Sequence, residues 1–187
     1  MKRVYLVRHC KTSGQAADRP LTAEGEAQAE ALAAFLAPLG IERIVSSPYE
    51  RAVRSIEPLA ERLGLPVETD DRLAERVLSG EALEDWEARM RDSYAAVDVA
   101  LPGGETSRAA VVRGAAAIEE ILRGPAGLTV AVSHGNLLSL LLGHYGFHGG
   151  GMAGYEAWRV MSNPDVYRLE REGERTTVER VWKGGLD

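Results

Sequence analysis

Arg8 and His9 stand together where an apolar run, Val4-Tyr5-Leu6-Val7, gives way to the polar stretch Lys11-Thr12-Ser13-Gly14-Gln15. A guanidinium beside an imidazole suits a phosphate: one clamps the anion and the other can attack phosphorus. Taken alone, the pair reads equally well as a basic strand end facing solvent. Two more segments carry the same signature. Ser46-Ser47-Pro48 leads to Arg51, and Ser133 leads to His134-Gly135-Asn136. Each follows an apolar run of strand length. If the three strands are parallel, their carboxyl ends share one sheet edge, where open α/β sheets bind ligands. Arg8, His9, Arg51 and His134 then converge, and helix N-termini after Ser47 and His134 add N–H groups and favourable dipole ends.

Phosphoryl transfer also needs a proton donor for the departing alcohol. Carboxylates are abundant, but position favours Glu75, which follows a third short strand and so returns to the same edge. A Glu among apolar and anionic groups can act as an acid near neutrality. His144 and His148 lie in or after a helix and read as structural or surface residues. The chain has no Cys/His cluster with zinc spacing and no His-Glu-x-x-His motif, so no metal is expected.

The elements that must position these groups follow from periodicity and punctuation. Strands are expected at 3–8, 41–45, 66–69 and 128–133, and after a Gly-rich connection at 149–151, at 155–161, 166–171 and 176–181. A helix opens at Thr22 as N-cap and ends at Pro38 and Gly40. A second starts with Ser47 as N-cap and Pro48 at its first position, and stops at Gly64. A third spans about 82–97, with Trp86 and Met90 on its apolar side. A fourth runs from a Thr106 cap to Gly124, and a fifth follows His134. Alternating strands and helices predict an α/β sheet covered on both faces. The final hairpin around Gly173 makes that sheet mixed.

The chain has 187 residues, read as one domain over 1–187, with 22 Lys+Arg against 28 Asp+Glu and a formal charge of −6. No global basic field exists to draw nucleic acid, so an anionic substrate must be held by clustered Arg. The apolar stretch after Met1-Lys2-Arg3 is too short for a secretory leader, and no run approaches the length of a membrane span. A cytoplasmic location is expected. The single cysteine, Cys10, cannot form an intrachain disulfide.

Read in order, Leu6-Val7-Arg8-His9 with Thr12, Leu21-Thr22-Ala23-Glu24-Gly25-Glu26-Ala27-Gln28-Ala29, Ser46-Ser47-Pro48-Tyr49-Glu50-Arg51-Ala52, Leu73-Ala74-Glu75, Gly103-Gly104-Glu105-Thr106 and Ser133-His134-Gly135-Asn136 closely resemble the histidine phosphatase superfamily, the phosphoglycerate-mutase-like group. The resemblance spans nearly the whole chain. It implies a three-layer α/β/α sandwich around a mostly parallel, mixed central sheet. It also implies phosphohistidine chemistry without metal or other cofactor. Carried over by position, His9 is the nucleophile, Arg8, Arg51 and His134 hold phosphoryl oxygens, and Glu75 is the proton donor. Thr12, Gln15, Gly135 and Asn136 are the further substrate contacts, helped by N–H groups of the loop after His9 and of the His134-Gly135 turn. The implied partner is a small phosphorylated metabolite, bound by a monomer or homodimer.

Two departures matter. Many members have Gly after the nucleophilic His, where this chain has Cys10. Cys10 could itself suggest a cysteine-based phosphatase, but that chemistry needs Arg six positions on, and position 16 is Ala. Near Arg8 the thiol is expected to be oxidisable through a low pKa. The stretch from Gln15 to Leu21 is also short, so relatives' substrate contacts there do not carry over. Glu75-Arg76 and His134-Gly135-Asn136 lean toward a mutase. The short chain, and the lack of a basic insert between Arg76 and Pro102, lean toward a phosphatase of small phosphomonoesters. A catalytically silent phospho-ligand binder is the third reading, disfavoured by the complete set of His9, Arg51, Glu75 and His134.

Overall fold

The computed structural model describes residues 1–183. Six strands form one sheet: β1 (Lys2–Arg8), β2 (Arg43–Ser46), β3 (Val67–Thr69), β4 (Leu128–Ser133), β5 (Asp165–Glu172) and β6 (Arg175–Lys183). Their spatial order is β3-β2-β4-β1-β5-β6. The first four strands are parallel, while β5 pairs antiparallel with β1 and β6 with β5. The carboxyl ends of β1, β2 and β4 therefore lie side by side.

Alternation along the central strands loads both faces. Val4 and Leu6 of β1 enter one core with Ile118, Leu137 and Leu141. Those partners belong to α4 (Ser107–Arg123) and α5 (Gly135–His144). Tyr5 and Val7 enter the opposite core with Leu32, Leu36, Ile56 and Leu59, from α1 (Ala23–Leu36) and α2 (Glu50–Leu63). Two helical layers thus sandwich the sheet. Each fully buried Leu or Ile contributes about 1.5–3 kcal/mol. Two shorter helices, α3 (Trp86–Ala95) and α6 (Gly151–Arg159), pack together beside α5.

Local signals placed several boundaries. Thr22 Oγ1 accepts from Gly25 N (3.0 Å) and Thr106 Oγ1 from Ala109 N (3.0 Å), capping α1 and α4. Gly64 closes α2 in the left-handed region, φ +66°. Three expectations are corrected. Residues 155–161 are not a strand: 155–159 lie in α6, where the i,i+3 spacing of Tyr155 and Trp158 stacks their rings (5.8 Å, 29°). The third helix begins at Trp86 rather than near 82, and Trp86 is 46% exposed while Met90 is buried. Finally, α2 starts at Glu50 with Tyr49 as N-cap, not at Ser47-Pro48. Ser47 Oγ accepts from Tyr49 N (3.3 Å) and is bonded to His134 Nε2 (2.7 Å), so the site takes it instead of the helix.

The loop leaving β1 is fastened along its backbone. His9 N donates to Ser133 O, Cys10 N to Ser55 Oγ (2.8 Å) and Lys11 N to Gln28 Oε1 (2.8 Å). Lys11 O accepts from Thr22 N (3.1 Å). Helix α1 approaches this loop so closely that a Cβ at Gly25 would sit 2.0 Å from Lys11 O. Only glycine fits there.

Candidate active site

His9 leaves β1 buried, 5% exposed, with Nδ1 2.7 Å from the carbonyl oxygen of Cys10. A carbonyl only accepts, so Nδ1 carries the proton and Nε2 keeps its lone pair. Desolvation by burial, aided by the Arg51 and Arg8 charges, pushes the imidazole down to about 3, although the Cys10 bond opposes this. His9 is therefore neutral at physiological pH, as a nitrogen nucleophile must be. Arg51 Nε lies 3.3 Å from His9 Nε2.

Arg51, in the first turn of α2, is 1% exposed. Its Nη1 donates to the carbonyls of Gln15 (3.0 Å) and Ala16 (2.9 Å), and its guanidinium lies over the Tyr49 ring (4.9 Å). One side chain thus ties the polar loop to His9. Arg8, at the end of β1, donates from Nη1 to Met161 O (2.5 Å). Its Nε is buried and finds no protein partner among the described residues. Burial depresses both guanidinium pKa values, and the Glu75 charge opposes this. His134, the N-cap of α5, is fully buried with its ring 5.1 Å from that of His9 and 4.9 Å from Tyr49. Its Nδ1 is likewise buried without a partner among the described residues. Desolvation, then the neighbouring His9, Arg51 and Arg8, hold its pKa well below the ordinary value. The orphaned Arg8 Nε, beside a second buried guanidinium in Arg51, fits a site built to surround an anion.

Glu75 borders the same space. Its Oε1 accepts from Arg76 N (2.8 Å) and Leu137 N (2.9 Å), and its Oε2 from Asn136 N (3.1 Å). The carboxyl is seated on the N-terminus of α5 rather than among the apolar and anionic groups expected from sequence. Arg113 fixes the preceding backbone: Nη1 donates to Arg72 O and Ala74 O (both 2.8 Å), while Nε and Nη2 grip Glu105 (2.7 and 2.8 Å). A cavity of about 740 Å³ is lined by Arg8, His9, Arg51 and Glu75 together with Trp86 and Trp158.

A profile of the histidine phosphatase superfamily (branch 1) matches residues 4–183. The chain belongs to this superfamily. A probable phosphoglycerate mutase from Shigella dysenteriae is 34% identical over 160 residues, covering 76% of this chain and 74% of that protein. Among solved structures, a mycobacterial glucosyl-3-phosphoglycerate phosphatase in complex with inorganic phosphate matches with TM-score 0.75 and 25% identity over 98% of both chains. A putative alpha-ribazole-5'-P phosphatase from Escherichia coli shares the fold at TM-score 0.72 and 24% identity, covering 96% of this chain and 95% of that one.

This histidine phosphatase family member distributes its sequence-derived candidates unevenly. Thr12, Gln15 and Gly135 line the cavity with Arg8, His9, Arg51 and Glu75. Thr12 Oγ1 bonds Pro20 O (3.0 Å), closing the loop whose Gln15 carbonyl Arg51 holds. A Cβ at Gly135 would lie 3.0 Å from Arg8 Nε, so the bare backbone there makes room for the guanidinium. Asn136 reaches the cavity edge, but its amide Nδ2 donates to Tyr94 Oη and Met90 Sδ (both 3.0 Å). His134 is sealed behind the cavity wall. The Cys10 and Lys11 N–H groups, expected to face phosphate, are already spent on Ser55 and Gln28.

Cys10 itself is fully buried, and desolvation pushes its thiol up to about 12, correcting the expectation of an oxidisable low-pKa cysteine. Its backbone is not in the left-handed region, so a side chain is tolerated at this position. Sequence reading missed Ser47, Tyr49, Arg113 and Asn163. Asn163 Nδ2 donates to His9 O (2.7 Å). Only the register that sets Asp165 beside Arg8 brings that loop to the site, and nothing local announces it. No helix of the described residues is long and apolar enough to cross a membrane.

The buried histidines also set a pH response. Unfolding returns them to about 6.5, where acid protonates them, while folded His9 resists down to about 3. Stability is therefore full above about pH 6.5 and declines as pH falls toward 3, by at most about 1.4 kcal/mol per pH unit for each histidine. Thermal melts between pH 7 and 4.5 check this. A His9→Gln variant is expected to lose stability less steeply; an identical slope in the variant would remove His9 as a source.

Proposed function

We propose that this chain is a phosphatase that hydrolyses small phosphomonoesters through a phosphohistidine on His9. The carrying observation is the neutral His9 tautomer, with Nδ1–H on the Cys10 carbonyl and Nε2 beside Arg51. In the resting site Arg51 Nε–H occupies the Nε2 lone pair. An arriving phosphoryl oxygen is a stronger acceptor, draws Arg51 away and leaves the lone pair to attack phosphorus. The P–Nε2 bond forms as the ester P–O bond breaks, and Glu75 delivers a proton to the departing alkoxide. Water then attacks phosphorus while the Glu75 carboxylate takes its proton. The P–N bond breaks, inorganic phosphate leaves and neutral His9 returns. Arg8 and Arg51 stabilise the charge that spreads over the transferring group.

A phosphoglycerate mutase is the second reading, favoured by the probable mutase among the relatives. A mutase must hold a carboxylate and a second phosphate, and the rest of the cavity argues against that. Arg76, which borders it, donates Nε to Glu105 O (3.0 Å) and Nη1 to Ser93 Oγ (2.8 Å), and Lys11 pairs with Glu24. Incubation with 3-phosphoglycerate, with and without a bisphosphoglycerate primer, separates the readings. Released inorganic phosphate is expected. Primer-dependent isomerisation would make the chain a mutase.

A further inference from the structure

We infer that Trp86 and Trp158 form a leaving-group subsite selecting phosphomonoesters whose alcohol carries a neutral ring. The inference rests on the phosphatase reading and names its substrate class. The cavity lined by His9 is lined by these two indoles as well. Trp86 opens α3, 46% exposed. Trp158 comes from α6 and meets it edge to face (6.2 Å, 87°). Tyr155 stacks on Trp158 (5.8 Å, 29°), and the buried Tyr94 braces Tyr155 in turn (5.9 Å). The corner is thus held from the core rather than hanging as a mobile surface group. Val77, Leu83 and Met90 add apolar surface to the same cavity.

Arg8 and Arg51 stand with His9. Lys11 and Arg76 are engaged as described, and the remaining lining includes Glu81. An alcohol bearing a carboxylate or second phosphate meets a carboxylate there. A neutral ring instead covers apolar surface that is otherwise wet, and an indole offers it a flat face. Such a ring is either an aryl group or the C–H face of a sugar.

The test compares phenyl phosphate and glucose 6-phosphate with glycerol 3-phosphate, an acyclic neutral ester. In Trp86→Ala and Trp158→Leu, the kcat/KM ratio of ring to acyclic substrate is expected to fall about three- to tenfold, mainly through KM. Trp158→Phe should recover most of the loss. A fall for phenyl phosphate alone assigns an aryl group, and a fall for glucose 6-phosphate alone assigns a sugar. Glu81→Gln is expected to raise the ratio of 3-phosphoglycerate to glycerol 3-phosphate about two- to fivefold. Unchanged ring ratios in both tryptophan variants would overturn the subsite. Tryptophan fluorescence with phenylphosphonate and methylphosphonate, which cannot be hydrolysed, gives a second readout. Tighter phenylphosphonate binding that Trp86→Ala abolishes supports the subsite even if no ester is turned over, an outcome that would defeat only the phosphatase reading. Equal binding of the two phosphonates would reject it.

Discussion

His9→Ala is expected to lower kcat/KM by about 10⁴- to 10⁶-fold and to leave no acid-labile phosphoenzyme. The size follows from the chemistry. Phosphate-monoester hydrolysis is among the slowest uncatalysed reactions, and a neutral imidazole splits it into two easier displacements. His9 offers a nitrogen with its lone pair fixed by tautomer, because the Cys10 carbonyl accepts the ring's one N–H, on Nδ1. The neighbouring His134 cannot substitute: it is fully buried, with Nε2 on Ser47 Oγ. Cys10 cannot either, since its thiol lies in the α1/α2 core and is held protonated. Arg8 and Arg51 remain in the variant, so inorganic phosphate should still bind. Rapid acid and base quench with a labelled phosphomonoester provides the measurement. Labelled protein, or ordinary turnover, in His9→Ala would remove the proposed nucleophile.

How much of this was legible in the residues differs by element. The parallel strands were readable because buried strands are short, unbroken apolar runs with chemistry at their ends, as in Leu128–Ser133 before His134. Glu75 was reachable because the exit of a parallel strand returns to one edge. Its surroundings were not, since they depend on the three backbone N–H groups that meet it from residues 76, 136 and 137. Residues 155–161 alternate in polarity well enough to suggest a strand. Tertiary packing decided otherwise, because a helix sets Tyr155 against Tyr94 and Trp158 against Trp86. Ser47-Pro48 is a sound helix start locally, yet the hydroxyl is worth more to His134, and Tyr49 assumes the cap position. Arg113 and Asn163 were invisible for a simpler reason. Each donates across a long sequence separation to a backbone carbonyl that any residue could supply.

Glu75→Gln is expected to slow alkyl phosphates by about 10²- to 10⁴-fold in kcat/KM, the usual worth of a positioned acid, while 4-nitrophenyl phosphate loses far less in its first step. An alkoxide departs poorly without a proton, whereas nitrophenolate leaves unaided. The second step discriminates further. Hydrolysis of phospho-His9 still needs a base for water, so the variant should release a burst of about one equivalent of nitrophenolate and then turn over slowly. The substitution also touches the fold, because Glu75 caps α5. Glutamine keeps one oxygen for the Arg76 and Leu137 N–H groups that now share Oε1, but sets an amide donor against the Asn136 N–H. A purely structural role would therefore slow both esters alike and produce no burst. Dependence on the leaving group, not the size of the loss, is what assigns the proton to Glu75.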